Sequence, residues 1–171
     1  MYQSKYRRLR QDELDELQTE FVRFLASYQI TANDWEQLKK DDTERVEELI
    51  LQFSDLIFEK VLSKVEYLIL KKHRELRAFK LLEDKVKLLG LINNGDDDGN
   101  VTLDFRKNET AEDMIQQLRR TREEIRLYAA ERKYKKGKKY EAFTLMEDGA
   151  LIAKDGTVYN LLDGLRKGQL N

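Results

Sequence analysis

The segment Lys85-Val86-Lys87-Leu88 alternates charged and apolar residues and runs into the apolar segment Leu89-Gly90-Leu91-Ile92. Alternation with a period of two residues is typical of a β-strand that buries one face. Two short segments upstream, residues 67–70 and 78–82, are also apolar or alternating. We therefore predict three short strands between residues 67 and 92, within a small and mostly antiparallel sheet.

Amphipathic helices are predicted before these strands. Over residues 43–65, apolar positions recur every three or four residues and cover more than one face, so this long helix should be buried on more than one side. An earlier helix is predicted over residues 11–28. Between the two, Thr31 or Asn33 is the expected N-cap of a short helix carrying Trp35, which we interpret as packing between helices.

Further elements are predicted after the strands. Strict alternation favours another strand over residues 101–105. Thr110 followed by Asp113 resembles a helix-capping pair, and apolar spacing then predicts a second long amphipathic helix over residues 111–133.

The C-terminal part contains two turn signals. Asp148-Gly149 and Asp155-Gly156 separate short apolar segments, a pattern typical of β-hairpins, and a short helix is predicted over residues 160–166. The predicted fold class is α+β, with two long amphipathic helices plus short helices packed on a small, mostly antiparallel sheet and C-terminal hairpins. We expect a single globular domain of residues 1–171.

The composition disfavours several classes of protein. The 171 residues include no Cys and no Pro, and 32 basic residues nearly balance 33 acidic ones, for a net charge of −1. Without Cys there are no thiol nucleophiles, disulfides or thiolate zinc sites, and His73 as the single His disfavours Ser-His-Asp chemistry. No glycine-rich phosphate loop occurs. We expect no cofactor and no metal, and we favour a non-enzymatic protein over an enzyme.

The sequence also lacks the pattern of a membrane protein. Its longest uninterrupted apolar run, residues 88–92, is far shorter than the roughly 20 residues of a membrane-spanning helix. Acidic residues follow the basic N-terminal residues, where a signal peptide has an apolar segment. We therefore expect a soluble cytoplasmic protein without membrane contact.

Two acidic patterns in the sequence are candidate sites. Residues 94–101 resemble the start of a calcium-binding loop, but the acid required at its twelfth position falls on Phe105, which favours a solvated connection between strands and leaves calcium binding open. Asp55 and Glu59 lie four residues apart on the long helix, a spacing that places two carboxylates on one face, where they can serve acid–base catalysis or bind a metal. The simpler interpretation is a solvated helix face. Likewise, we interpret His73 as an exposed structural residue.

The strongest candidate surface is basic. Residues 119–139 hold ten basic and three acidic residues, a net charge of +7. Its densest part, the basic segment of residues 132–140, interleaves lysines with tyrosines that can stack on unpaired bases while the cations pair with phosphates. The candidate contact residues are Arg132, Lys133, Tyr134, Lys135, Lys136, Lys138, Lys139 and Tyr140. The alternative is a solubilising helix end and charged connector, and a pI near 6.0 argues against a dedicated nucleic-acid domain.

Several segments resemble a known family. They are residues 6–9, Glu20-Phe21-Val22-Arg23-Phe24-Leu25, Ile30-Thr31-Ala32-Asn33-Asp34-Trp35, residues 53–62 and the ending from 143 to 162. Together they resemble an uncharacterised family of small bacterial proteins, a domain of unknown function. The resemblance implies a compact single domain in a bacterial cytoplasm, and it brings no activity, ligand or catalytic residue.

Three hypotheses for function remain at this point. The first is a non-enzymatic interaction or adaptor protein with a protein partner. The second is binding of RNA or single-stranded nucleic acid through residues 132–140. The third is an enzyme that uses carboxylates such as Asp55 and Glu59, which requires a concave site where the acids converge with other polar groups.

Overall fold

A computed structural model describes residues 1–168 of the chain. These residues form seven α-helices and one five-stranded antiparallel sheet, which confirms the predicted α+β class. The chain divides into two compact units, Met1–Ser63 and Lys64–Asn171. The single domain of residues 1–171 stays a prediction, and each unit is described by itself.

The first unit is helical. Its helices are α1 (Gln11–Glu16), α2 (Gln18–Ser27), α3 (Ala32–Asp41) and α4 (Thr43–Leu62). The helix predicted over residues 11–28 is interrupted at Leu17, and the helix predicted over 43–65 ends at Leu62. Thr31 caps α3 by accepting a 3.2 Å hydrogen bond from the Asp34 N–H, as predicted.

Aromatic side chains form much of the core of this unit. Phe53 on α4 is buried, and the ring of Phe21 on α2 lies 5.0 Å from it between centroids. The indole of Trp35 meets Phe21 edge-on at 5.2 Å. Edge-to-face contacts at this distance are favourable, so Trp35 packs between helices as expected.

The second unit is built on the sheet. The strands β1 (Tyr67–Lys71), β2 (Glu75–Leu81), β3 (Lys85–Asn93), β4 (Ile125–Lys133) and β5 (Leu151–Ile152) lie in the order β4-β3-β2-β1-β5. The three strands predicted between residues 67 and 92 are confirmed. A 3₁₀ helix (Phe105–Lys107) and the helices α5 (Ala111–Arg120), α6 (Lys138–Glu147) and α7 (Thr157–Arg166) complete the unit.

The second long helix predicted over residues 111–133 is wrong. Thr110 caps α5 as predicted, but α5 ends at Arg120, and residues 125–133 form β4, paired with β3 along its whole length. Ile125, Leu127 and Ala129 follow a period of two, which suits a strand as well as the helical spacing did. The pairing with β3 decides between the two patterns, because tertiary contacts override local propensity.

The strand predicted over residues 101–105 is also wrong. Within residues 1–168 this segment has no strand partner, and Phe105 instead buries its ring fully at the start of the 3₁₀ helix. The N–H of Leu103 bonds to the carboxylate of Glu123 rather than to a neighbouring strand. The alternation in this segment therefore reflects anchoring of a loop.

The predicted C-terminal hairpins are wrong as well. Gly149, at φ 102°, follows the end of α6 and adopts the left-handed conformation that glycine favours after a helix. Asp155 accepts a 2.9 Å hydrogen bond from the Thr157 N–H at the start of α7. Both Asp-Gly pairs thus mark helix ends, and the short helix predicted over residues 160–166 begins three residues earlier.

One face of the sheet packs against α5 and α7, and we call it the α7 face. Alternate residues of β2 and β3 contribute to its core together with Met114 of α5 and Leu162 of α7. The sheet residues of this core include Leu76, Ala78, Leu89 and Leu91. Because side chains alternate between the two faces of a strand, Lys80 and Lys87 also lie on the α7 face.

Candidate functional site

A groove of about 570 Å³ lies on the α7 face, between α7 and the edge strand β4. Leu89 and Ala129 contribute apolar surface to it, and α7 contributes Tyr159 and Asn160. We call it the basic groove, because its charged lining residues are Lys80, Lys87, Arg166 and Lys167 with only Glu131 and Asp163 opposing them.

The strand register places two lysines side by side in this groove. Tyr67, Lys80, Lys87 and Glu131 form one row across β1, β2, β3 and β4. Lys80 and Lys87 are therefore directly opposite each other. Like charges in this position destabilise a sheet.

No carboxylate in residues 1–168 forms an ion pair with either lysine of this pair. Glu131 is opposite Lys87, but its carboxylate binds Lys85 at 3.0 Å. Lys80 Nζ lies 5.8 Å from the ring centroid of Tyr67 and 5.9 Å from that of Tyr159. Both lysines of the pair are half-buried, so an anion in the groove would lie close to two ammonium groups.

The cations on α7 differ, because they have a partner. Asp163 accepts from Arg166 Nη2 at 3.0 Å and from Lys167 Nζ at 2.6 Å. Hydrogen bonds from Lys167 and Arg166 hold the pKa of Asp163 below its ordinary value. One carboxylate thus orients two cations along the groove and neutralises one of them.

The positive surface continues beyond the groove. Lys85 and Lys133 are directly opposite each other on β3 and β4, one row further toward the start of β3. They lie on the same face as Lys87. Lys85 is two residues from Lys87 on β3, and Lys133 is two residues from Glu131, the residue opposite Lys87 on β4. Lys133 also belongs to the basic segment of residues 132–140, which therefore adjoins the groove.

The residues of the basic segment have different surroundings. Arg132 and Lys133 end β4, residues 134–136 connect to α6, and Lys138, Lys139 and Tyr140 lie in the first turn of α6. The guanidinium of Arg132 binds the carboxylate of Glu141.

The two tyrosines of this segment are not equivalent. Tyr134 is half-buried, its Oη donates to the carbonyl of Leu82 at 2.9 Å, and burial raises its pKa to about 12, with Glu141 adding to the effect. Tyr140 is exposed, and Lys136 Nζ lies 4.8 Å from its ring centroid. Tyr134 thus anchors the β2–β3 turn, and only Tyr140 presents its ring to solvent.

The carboxylate of Asp55 on α4 has a structural role. Asp55 is 4% exposed and accepts hydrogen bonds from Tyr2 Oη, Ser4 Oγ and the N–H groups of Lys5 and Tyr6, at 2.8 to 3.1 Å. Burial opposes its ionisation, but these hydrogen bonds outweigh burial and hold its pKa below the ordinary value. The interpretation of a solvated face is therefore wrong for Asp55, which fastens the N-terminal segment to α4.

The acidic loop, residues 94–101, is held by hydrogen bonds from its own backbone to the side chain of Asp96. Asp96 accepts hydrogen bonds from the N–H groups of Asp98 and Asn100 at 3.0 and 2.8 Å. His73 is exposed in the β1–β2 turn, as expected. Within residues 1–168, no three His, Cys, Asp or Glu side chains come together in a way that can hold a metal ion.

The lysine pair of the basic groove was missed at the sequence level. Lys80 and Lys87 are equally distant from the turn Glu83-Asp84, so hairpin pairing around that turn is a signal that brings them together. No comparable signal indicates that α7 packs over this part of the sheet. None of the helices in residues 1–168 combines the length and the apolar character that a membrane crossing requires.

The fold and the groove together define a small α+β protein with a positively charged groove on a five-stranded antiparallel sheet. The chain belongs to the family of unknown function DUF6495, whose model matches residues 1–167. This confirms the resemblance to a family without established activity. No curated protein and no solved structure matches the chain.

Proposed function

We propose that this protein is a non-enzymatic binding protein for single-stranded nucleic acid, with phosphate groups held at Lys80 and Lys87. The observation that carries the proposal is the pair itself. Two half-buried lysines are opposite each other in a groove, and no carboxylate of the described residues pairs with them. A phosphate between them removes the repulsion and is bound by two charge-assisted hydrogen bonds.

The extent of the positive surface favours a polymer over a single small anion. Lys133, whose opposite residue Lys85 pairs with Glu131, continues the charge from the groove to the basic segment of residues 132–140. Exposed Tyr140 lies in that segment and offers a ring on which a base can stack. A groove of about 570 Å³ has the size of a small-molecule site, which suits one or two nucleotides of a single strand and not a duplex. We place this binding in the bacterial cytoplasm.

The test is the binding of a fluorescent ten-nucleotide single-stranded RNA, measured by anisotropy over a series of salt concentrations. We expect the double variant Lys80→Gln, Lys87→Gln to bind about tenfold more weakly, and the slope of log K against log salt to become shallower by about 0.7, because one phosphate contact is lost. The matched control is Lys40→Gln, Lys60→Gln, which removes the same charge from exposed positions of the first unit. Equal loss in both double variants, or tighter binding of a duplex, would contradict the proposal.

A second candidate is the adaptor role, with a protein partner added to the edge of the sheet. The supporting observation is β4, a nine-residue edge strand whose described backbone pairing is with β3 alone. Ala129 and Ala130 at its centre are exposed and small, so an extended peptide can approach closely. Because Arg126, Arg132 and Lys133 outnumber Glu131 on this strand, the peptide partner is acidic.

Hydrogen exchange tests this second candidate. An eight-residue peptide alternating Glu and Val should slow exchange of the β4 amides, while a peptide alternating Lys and Val should not. If the β4 amides that point away from β3 already exchange slowly in the free monomer, the edge is not available and the adaptor role at β4 is excluded.

A further inference from the structure

Two tyrosine rings close the basic groove on the side of β1. Tyr67 is opposite Lys80, and a Cβ atom added at Gly156 would lie 2.7 Å from Cζ of Tyr67, so this ring fills the space between β1 and the start of α7. The buried ring of Tyr159 lies 6.1 Å from that of Tyr67, between centroids. Lys80 Nζ is 5.8 and 5.9 Å from the two ring centroids. These rings block a strand held at Lys80 from continuing toward β1.

The positive surface continues in the opposite direction, toward β4. Lys87 follows Lys80 in the row across the sheet, and Lys133, one row further, leads to the basic segment of residues 132–140. A strand at the lysine pair therefore meets cations on one side and aromatic rings on the other. Because phosphates repeat along a strand in both directions, this one-sided arrangement suits the end of a strand better than its middle.

The charge of the groove matches a dianion. Four cations and two carboxylates line it, which leaves a net charge of +2. Both carboxylates bind cations, and no carboxylate of residues 1–168 pairs with Lys80 or Lys87.

A phosphate at the end of a strand differs in charge from one within it. A phosphodiester within a strand carries one negative charge, whereas a terminal phosphate monoester carries about −1.5 to −2 at pH 7. The Cβ atoms of opposite residues in an antiparallel pair are only about 5 Å apart, so Lys80 and Lys87 can both contact one phosphate. The terminal monoester is the one that neutralises both lysines.

From the closed side and the paired charges, and resting on the nucleic-acid binding proposed above, we infer that the basic groove holds the terminal phosphate monoester of a single strand. Lys80 and Lys87 donate charge-assisted hydrogen bonds to its oxygens. The rings of Tyr67 and Tyr159 bound the groove behind the phosphate, and the strand leaves toward Lys133. The 5′ and the 3′ phosphate share this chemistry.

The test uses three unlabelled ten-nucleotide RNAs of uridine, with a 5′ phosphate, a 3′ phosphate or hydroxyl groups at both ends. Each displaces the fluorescent strand from the unaltered protein at pH 7.5, followed by anisotropy. We expect at least one phosphorylated strand to bind about tenfold more tightly than the hydroxyl strand. The strand that is preferred shows which end enters the groove.

Two further measurements ask whether the dianion and the lysine pair cause this preference. A phosphate monoester takes up its second proton near pH 6, so most of the preference should be lost at pH 5, with the hydroxyl strand at the same pH as the reference. In Lys80→Gln, Lys87→Gln all three strands should bind equally, while Lys40→Gln, Lys60→Gln should keep the preference. A preference that persists in the first double variant, or at pH 5, would overturn the inference.

The possible results separate this inference from the proposed function. If all three strands bind the unaltered protein equally and the loss in Lys80→Gln, Lys87→Gln persists, the protein binds nucleic acid without recognising its end, and the inference is overturned alone. Equal preference for the two phosphorylated strands supports binding of either end. If no strand binds at about 50 mM salt, both proposals fail.

Discussion

Two polar clusters on β3 lie about 20 Å apart along the strand and differ in whether their charged groups have partners within the protein. Near the end of the strand, Asn93 is buried beside the carboxylate of Glu123, which is 9% exposed. Near its start, Lys87 is half-buried opposite Lys80. Glu123 is hydrogen-bonded throughout, whereas the two lysines have no carboxylate partner in residues 1–168.

Glu123 is a buried charged group that stabilises the fold. Its carboxylate accepts hydrogen bonds from the Asn93 amide, the Thr102 hydroxyl and the N–H groups of Thr102 and Leu103. Burial opposes ionisation of Glu123, but hydrogen bonds from Thr102, Asn93 and Leu103 lower its pKa to about 2. The loop that follows β3 is fastened in this way.

The difference teaches how to separate structural charges from candidate ligand sites. Leaving a buried polar group unpaired costs free energy, so groups that serve the fold have their partners within the protein. The lysine pair lacks such partners and lies in a groove. Two measurements on Glu123 and one on the lysine pair test this distinction.

The largest effect is expected for Glu123→Ala. It leaves the Asn93 amide and two backbone N–H groups without their acceptor, so the free energy of unfolding should fall by about 3 kcal/mol. Urea denaturation measures the change. The neighbouring Glu124→Ala removes an exposed carboxylate and should change it by less than about 0.5 kcal/mol. Equal effects of the two substitutions would show that the carboxylate of Glu123 does not fasten the loop.

A smaller effect is expected from pH. The folded pKa of Glu123, about 2, is below the ordinary value of 4.5, so its stabilising contribution is fully present above about pH 5 and is lost as pH falls toward 2. Between pH 7 and pH 3, the stability advantage of the unaltered protein over Glu123→Gln should shrink by about 2 kcal/mol. Other carboxylates titrate in both proteins and cancel in this difference. An advantage that does not change with pH would contradict the assigned hydrogen bonds.

The sequence predicted the sheet better than the elements around it. Apolar or alternating segments placed β1 to β3, although only β1 alternates strictly between buried and more exposed positions, and β2 and β3 contain consecutive buried residues. Apolar patterning failed at residues 125–133, where one set of apolar positions fits both a helix and a strand and pairing with β3 decides. It failed again at Asp148-Gly149, because the same dipeptide suits a hairpin turn and a helix end.

The candidate site was harder to predict than the fold. The basic segment of residues 132–140 is visible because its charges are adjacent in the sequence. The basic groove assembles Lys80, Lys87 and Asn160 from elements up to 80 residues apart, so only the packing of α7 on the sheet brings them together. Lone lysines within strands look like ordinary solvent-exposed positions until the register shows that they are opposite each other.

The smallest effect, of opposite sign, is expected at the lysine pair. In the absence of ligand, Lys87→Met removes one of two like charges and keeps the aliphatic length of the side chain, so the free energy of unfolding should rise by about 0.5 kcal/mol at low salt. Because salt screens the repulsion, the gain should decrease as salt is added. Urea denaturation at 20 mM and 500 mM salt measures both changes.

Lys107→Met is the control for this measurement, since Lys107 is exposed in the same unit and is not opposite another lysine. Its substitution should leave stability unchanged at both salt concentrations. If Lys87→Met instead lowers stability as Glu123→Ala does, Lys87 serves the fold, and the contrast between the two ends of β3 disappears. Two results together would support a binding site: a higher free energy of unfolding for Lys87→Met at low salt, and weaker RNA binding by Lys80→Gln, Lys87→Gln. The lysine pair would then lower stability and contribute to binding, as functional residues commonly do.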